Sequence, residues 1–296
     1  MLTIGTRGSD LALWQAHYIQ DRLAKAGITT EIKIIKTQGD QIQHLSFDKM
    51  EGKGFFTKEI ESALLDKSID IAVHSHKDLE TSQPDGLEIV AIPERAAPED
   101  LLLVRKEVAR DNLKWSLMPN AVIGTSSARR GEQFKAHFPE AEIKTLRGNV
   151  PTRVDKLRTG DYDAILLAKA GVDRLQLDLN EFILHALPVD EFVPAAAQGA
   201  LAIQMRSSDN NEEVQNALQH AATAEMISIE RQILKGINGG CQVPFGTHCR
   251  IEDEMLDLQV FCMKNNKAHF ATFSSDNEKE LISSALNYIL DNEGVL

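Results

Sequence analysis

Short apolar runs alternate with amphipathic segments along the first half of the chain. LTIGT, EIKIIK and DIAVH (residues 2–6, 31–36 and 70–74) have the composition of strands, and DIAVH is apolar enough to be buried on both faces. Between the first two, apolar residues recur at helical spacing from Asp10 to about Ala26, and Ser9 is suited to cap this helix. Strands that alternate with helices predict an α/β fold with parallel sheets covered by helices.

A weak internal repeat divides this α/β region into two similar lobes. IGTRGS at 4–9 returns as IGTSSARR at 123–130, and IDIAVHSHKDL at 69–79 returns loosely as YDAILLAKAGV at 162–172. In each lobe a Gly-Thr-Ser turn enters a helix, whose exposed amide groups and macrodipole favour an anion. Ligands of open α/β sheets bind beyond the carboxyl ends of the strands, so we expect both turns to face one cleft.

Two segments with prolines interrupt the periodicity, PERAAPED at 93–100 and LPVDEFVP at 187–194, and we expect the chain to cross between lobes there. After the second, AAAQGALAIQM at 195–205 contains an apolar strand that can return to the first lobe. Two crossings are typical of hinged binding folds.

The chain changes character from about Asn210. A long helix ending near Gly236, strands at 255–262 and 268–274, and a last helix from about Asn277 to Leu290 predict a small α+β domain. The predicted division is lobe 1 at 1–95 with 194–209, lobe 2 at 99–190, and a third domain at 210–296.

Composition restricts the class of partner. A net charge of −12 argues against nucleic acid, whose phosphates need a basic face. No apolar run approaches the length of a membrane span, and the start of the chain does not resemble a secretory signal. Cys241, Cys249 and Cys262 have no metal-ligand spacing and do not suggest a disulfide framework. We therefore expect a cytoplasmic protein without a metal site or a membrane partner.

Arginine is concentrated in one part of this acidic chain. Six of the fourteen arginines lie within a stretch of under fifty residues that is rich in Gly, Ser and Thr. Such a local basic site suits a small polyanionic ligand, and the planar guanidinium binds either carboxylate or phosphate. For Arg158, late in a polar helix, a solvated surface position remains plausible. The six are Arg129, Arg130, Arg147, Arg153, Arg158 and Arg174.

HSHKD at 74–78 follows the strand DIAVH, where side chains of an α/β protein meet ligands. Asp78 is a candidate general acid or fixed negative charge, although an aspartate here can equally cap a turn. Lys77 and Ser75 are available to an anionic substrate. His74 and His76 have no third ligand nearby, so packing and hydrogen bonding are favoured over a metal pair.

INGGCQVPFG at 237–246 places Cys241 in a glycine turn just before a proline. A single cysteine of this kind is most often a small buried hydrophobe, and the loop by itself does not assign it a reaction.

Several long motifs, in this order and spacing, resemble the hydroxymethylbilane synthase (porphobilinogen deaminase) family, and the resemblance spans residues 1 to about 250. They are IGTRGSDLALWQA, EGKGFFTKEIE, DIAVHSHKD, IGTSSARR, LRGNVPTR, LLAKAGVDRL, AAAQGALAI and NGGCQVPFG. The resemblance implies two lobes like those of periplasmic binding proteins around a cleft, plus a small C-terminal domain, in a monomeric protein.

It also implies a dipyrromethane cofactor attached by a thioether to Cys241. Four porphobilinogen molecules are joined to this primer, each losing ammonia, and water releases the product. Asp78 corresponds to the catalytic acid. The positions implied to contact the cofactor are Ser75, Lys77, Thr125, Ser127, Arg129, Arg130, Arg147, Arg153 and Gln198. Those implied to contact the substrate are Arg7, Ser9, Lys53 and Arg174.

The chain departs from the family pattern at a few positions. Glu80 stands where the family usually has proline, and Ala197 where glycine is common. Neither removes a chemical group. The alternatives are an anion-binding or sensor module, which would give no role to Cys241 or Asp78, and an inactive relative of the enzyme.

Overall fold

The computed structural model describes residues 1–37, 57–239 and 243–290. These fall into two compact units. The first comprises Met1–Ala96 and Ala200–Glu225, and the second Ala97–Gly199 and Met226–Leu296. No helix in the described ranges is long and apolar enough to cross a membrane.

The strands and helices follow one another in the order predicted for an α/β chain. Before the first crossing, at residues 93–100, they are β1 (Leu2–Thr6), α1 (Asp10–Lys25), β2 (Thr30–Ile34), α2 (Lys58–Leu65), β3 (Ile71–Ser75) and β4 (Leu87–Ala91). The next group is β5 (Asp100–Arg105), β6 (Val122–Gly124), α3 (Ala128–His137), β7 (Glu142–Lys144), α4 (Val150–Arg158), β8 (Ala164–Ala168), α5 (Lys169–Leu175) and β9 (Phe182–Leu187). The last group is β10 (Leu201–Arg206), α6 (Glu212–Leu218), α7 (Ala221–Gly236), β11 (Gly246–Glu252), β12 (Met255–Lys264), β13 (Lys267–Ser275) and α8 (Glu278–Leu290).

The first unit is built on a five-stranded sheet of order β2-β1-β3-β10-β4. Strands β1, β2 and β3 run parallel, whereas β10 is antiparallel to both of its neighbours. The predicted return of the apolar strand within 195–205 to the first lobe is therefore confirmed. Ile4, Ile71 and Ile203 from the sheet pack against Ile19 and Leu23 of α1, and all five side chains are buried.

The second unit repeats this arrangement. Its five-stranded sheet has the order β7-β6-β8-β5-β9, in which β6, β7 and β8 are parallel and β5 is antiparallel to its neighbours. Each strand thus has a counterpart of the same position and direction in the first unit. The weak sequence repeat corresponds to a repeated topology, and the predicted α/β fold class is confirmed.

The C-terminal part of the second unit is a three-stranded antiparallel sheet, β11-β12-β13, against α7 and α8. Strand β11, which immediately follows the cysteine segment, was not predicted from the sequence. Its first four residues, Gly246 to Cys249, are buried, and the rest of the strand is not.

The predicted long helix from Asn210 to Gly236 is two helices, α6 and α7. Gln219 is extended between them, because its side-chain oxygen accepts from Ile92 N (2.7 Å) and His220 N donates to Ile92 O (3.0 Å). Val214 and Leu218 of α6 pack into the core of the first unit. The structure thus groups residues 210–225 with the first unit, not with the C-terminal sheet as the sequence suggested.

Candidate functional site

In the first unit, five predicted site residues lie at or just after the ends of the neighbouring parallel strands β1 and β3. Gly5 pairs with Ala72, so the carboxyl ends of these strands lie at the same edge of the sheet. The five are Arg7, Ser9, Ser75, Lys77 and Asp78. The structure therefore places these five residues at one edge of the first sheet.

Asp78 ends a single 3-10 turn, His76–Asp78, directly after β3. The turn is fixed by a hydrogen bond from His76 N to Ala200 O (3.0 Å), and Ser75 accepts from Gln15 Nε2 (2.9 Å). Asp78 itself is exposed. Its carboxylate is thus presented from a short turn that is held in place on its N-terminal side.

His74 lies on the buried side of β3. Its Nε2 is 3.0 Å from Gln204 Oε1, and burial lowers its pKa to about 4, against the opposing effect of the Gln204 hydrogen bond. The ring is therefore neutral at pH 7 and packed in the core, as the sequence favoured. Among the described residues there is no group of three or more His, Cys, Asp or Glu side chains arranged to hold a metal ion.

The second unit presents the repeated Gly-Thr-Ser turn after β6. Ser127 is the N-cap of α3, as Ser9 is of α1, and Thr125 Oγ1 accepts from Ser127 N (3.2 Å). Gly124 is required for close packing, because a Cβ there would lie 2.8 Å from Tyr162 Cδ1 and 2.9 Å from Ile165 Cγ2. Close packing at Gly124 thus fixes the turn that leads into the N-terminus of α3.

A second turn lies beside it, because β6 and β7 are parallel neighbours. Ser126 Oγ donates to Leu146 O (2.7 Å), which links the two turns directly. Asn149 caps α4, and Arg153 Nε donates to Gly148 O (2.7 Å). Arg147 and Arg153 are half-buried at this edge. Both predicted arginines therefore lie at the carboxyl ends of the second sheet, next to Ser127.

Arg129 and Arg130 converge on one buried carboxylate. Arg129 Nη1 donates to Asp100 Oδ2 (2.7 Å), and Arg130 Nε donates to Asp100 Oδ1 (2.8 Å). Each guanidinium also donates to the backbone, Arg129 Nη1 to Val193 O (2.7 Å) and Arg130 Nη1 to Leu166 O (3.2 Å). Asp100 and the two backbone carbonyls therefore fix both guanidinium groups in a buried network.

This network carries more positive than negative charge. Burial raises the pKa of Asp100, but the two guanidinium groups and the hydrogen bonds from Arg129 and Gln198 outweigh it and hold that pKa well below its usual range. One carboxylate thus faces two cations. In addition, Arg129 Nε is buried and has no hydrogen-bond partner among the described residues. A carboxylate-bearing ligand suits this surplus of charge and donors.

Gln198 completes the same network. Its side chain is fully buried, and Nε2 donates to Pro98 O (2.8 Å) and to Asp100 Oδ1 (3.0 Å). Arg174, at the end of α5, donates from Nη2 to Gly199 O (2.8 Å), the residue after Gln198. The loop that carries Gln198 is thus held at two successive residues.

Two predicted site residues, Lys53 and Cys241, lie outside the described residues, as does the polar segment before Gly54. Conversely, sequence reasoning missed Asp100, which organises three of the predicted residues. The signal was available, because two adjacent arginines at the start of a buried helix need a counter-ion. Asp100 precedes the apolar run LLLV at the beginning of β5.

Comparison with known proteins gives matches along nearly the whole chain. A family model described as porphobilinogen deaminase, dipyromethane cofactor binding domain, matches residues 2–215. A second, porphobilinogen deaminase, C-terminal domain, matches residues 224–283.

Curated relatives carry the same name. The chain is 45% identical over 263 residues to the porphobilinogen deaminase of Maridesulfovibrio salexigens, covering 88% of this chain and 83% of the relative. It is 40% identical over 291 residues to that of Thiobacillus denitrificans, covering 96% and 93%. Among solved structures it is similar to an ancestral cationic amino acid solute binding protein, with 17% identity, a TM-score of 0.44 and coverage of 73% of this chain and 87% of that one.

Proposed function

The chain belongs to the porphobilinogen deaminase family, and from this premise we propose how its own residues make hydroxymethylbilane. The enzyme is a transferase of tetrapyrrole biosynthesis that joins porphobilinogen units head to tail, with loss of ammonia, on a dipyrromethane primer. The observation that carries this function is the match of both family models, which together extend over residues 2–215 and 224–283.

Cys241 carries the dipyrromethane through a thioether. This assignment rests on the sequence NGGCQVPFG, because a thiolate is the natural nucleophile for the electrophilic methylene carbon attached to a pyrrole ring. When bound, the dipyrromethane supplies the free pyrrole carbon to which the first porphobilinogen is joined. Thr125, Ser127, Arg129 and Arg130 would hold its carboxylates in the second unit, supported by the surplus positive charge around Asp100.

The other cationic side chains bind the carboxylates of the cofactor, of the substrate and of the lengthening product. Each porphobilinogen has an acetate and a propionate group, so every ring added brings two further negative charges. Arg147 and Arg153, at the ends of the second sheet, and Arg7 and Lys77, at the end of the first, provide cationic donors. Bidentate binding by arginine also fixes the orientation of each ring.

Asp78 stabilises the positive charge that develops on the substrate. As the aminomethyl carbon of porphobilinogen loses ammonia, a cation forms on its pyrrole ring, and the new carbon–carbon bond then releases a proton from the attacking pyrrole carbon. A carboxylate beside the pyrrole N–H is worth about 3 to 4 kcal/mol in such a step. The fixed turn His76–Asp78 supports this role, because the carboxylate needs little rearrangement to act.

Intact mass under denaturing conditions tests this proposal. The freshly made protein should exceed the mass of its sequence by one dipyrromethane, and Cys241→Ser should lack the excess. Cys262→Ser, a buried cysteine in β12, is the matched control and should keep it. Excess mass in Cys241→Ser, or a bare mass in wild-type protein supplied with porphobilinogen, would contradict the role of Cys241.

The rival function, an anion-binding or sensor module, predicts no covalent group and no turnover, so the same measurement separates the two.

The protein acts as a monomer in the cytoplasm. The free thiols of Cys249 and Cys262 support a reducing compartment. Light scattering after gel filtration, and fractionation of the source cell, test these two statements.

A further inference from the structure

Glu230, on α7, is a fully buried carboxylate that neither the sequence patterns nor the family motifs single out. Both of its oxygens accept backbone N–H groups: Oε2 from Ala197 (2.7 Å) and Oε1 from Cys249 (2.9 Å). Buried glutamate is rare unless it is paired, because removing its charge from water is costly. One side chain thus joins α7 to two segments that are distant along the chain.

The bond to Ala197 supports an unfavourable backbone conformation. Ala197 has a φ of +61°, the left-handed region in which an L residue with a Cβ is strained. The next residue is Gln198, whose side chain reaches Asp100 and Pro98. Holding Ala197 N therefore fixes the direction in which Gln198 leaves the backbone.

The bond to Cys249 holds the middle of β11. At the start of this strand Thr247 N donates to Pro194 O (2.9 Å). A Cβ on Gly246 would lie 2.7 Å from Val193 O and 3.2 Å from Arg129 Cδ. Strand β11 thus packs against both the loop that precedes Ala197 and the aliphatic part of Arg129.

We propose that Glu230 is a positioning residue, which holds the Ala197 turn and β11 together so that Gln198, Asp100 and Arg129 keep the arrangement that binds ligand carboxylates. This inference rests on the proposed function for the identity of the ligand. Glu230 acts through Ala197 and Cys249, not by contact with the substrate. A carboxylate is suited to this task because it accepts at both oxygens, whereas glutamine would direct an NH₂ group at one of the two amides.

The test compares Glu230→Gln with Glu225→Gln, an exposed glutamate on the same helix. Amide hydrogen exchange should become about tenfold faster or more at Ala197 and Cys249 in Glu230→Gln only. Glutamine has no charged acceptor, and its single side-chain oxygen cannot serve both amides as the carboxylate does. The KM for porphobilinogen should rise several-fold, with a smaller fall in kcat, because Arg129 and Arg130 hold the cofactor and a displaced cofactor ring receives the incoming substrate less well. Unchanged exchange at both amides, or a loss confined to kcat, would overturn the proposal.

Ala197→Gly in the Glu230→Gln background provides the second variant. Glycine adopts positive φ without strain, so the double variant should unfold at a higher temperature and recover part of the KM, while Cys249 continues to exchange fast. If the double variant has the same unfolding temperature and the same KM as Glu230→Gln, the positioning role is refuted. This comparison holds even if the single variant folds poorly. Amide hydrogen exchange at Ala197 and Cys249 tests the role of Glu230 whether or not the cofactor is attached. The intact mass of the wild type tests the proposed function, so failure of one can be told from failure of the other.

Discussion

Arg129 and Asp100 form an ion pair of 2.7 Å in which the two side chains are 5% and 0% exposed. Arg130 shares the same carboxylate from the opposite oxygen. An ion pair at this depth contributes little net stability, because desolvation offsets the attraction, but breaking it on one side is costly. The pair therefore determines where the guanidinium groups lie more than how stable the fold is.

Replacing Asp100 with asparagine should lower the free energy of unfolding by about 3 to 5 kcal/mol, since two buried cations then lack their counter-ion. Asp155→Asn is the matched control. It removes a 2.7 Å pair with Arg158 whose side chains are 65% and 45% exposed, and should cost about 1 kcal/mol or less. Denaturant unfolding of both variants measures the difference, and equal losses would contradict it.

Asp78→Asn should reduce kcat about a hundredfold to a thousandfold, because the amide no longer offers a negative charge to the cation formed on the substrate. The variant should retain its fold, since Asp78 is exposed, and its covalent dipyrromethane, since the proposed attachment is made by Cys241. Glu80→Gln removes a neighbouring exposed carboxylate and should change kcat little. Steady-state kinetics with the intact mass of each variant check this; full activity in Asp78→Asn would refute the assigned role.

Gly124→Ala should destabilise the second unit by about 1 to 3 kcal/mol, because its Cβ would lie 2.8 Å from the ring of Tyr162 and overpack the turn. Gly131→Ala in α3 is the control, where the nearest side-chain atom would be 3.5 Å away. In a helix alanine is favoured over glycine, so the control should be neutral or stabilising. The melting temperatures of the two variants should therefore shift in opposite directions, or Gly124→Ala should show a clearly larger decrease.

The protein should lose stability between pH 6.5 and about 4 because of His74. Burial lowers its folded pKa to about 4, so the unfolded chain binds more protons within this window and unfolding becomes easier as the pH falls. The loss should approach about 3 kcal/mol. Burial also lowers the pKa values of His137 and His185, so the comparison of wild type with His74→Asn isolates His74. A pH dependence of the same slope in both proteins would contradict this origin.

What depends on local sequence was predictable. The strands LTIGT, EIKIIK and DIAVH, the Ser9 cap and the repeated turns follow from short patterns, and the structure confirms them. What depends on partners distant along the chain was not. Asp100 lies 29 residues from Arg129, and Glu230 lies 33 residues from Ala197, so neither pairing has a local pattern. The break between α6 and α7 has the same cause, because Ile92 competes for the hydrogen bonds of Gln219 and His220.

The order of strands in the two sheets also constrains the order of events during synthesis. Strand β5, which lies between β8 and β9, is the first strand of the second sheet to leave the ribosome, so that sheet can close as soon as β9 emerges. Strand β10 lies between β3 and β4 but is made after the whole second sheet. Until then β3 and β4 have unpaired edges, which are prone to wrong pairing. The N-terminal sheet is therefore begun before the second five-stranded sheet and completed after it.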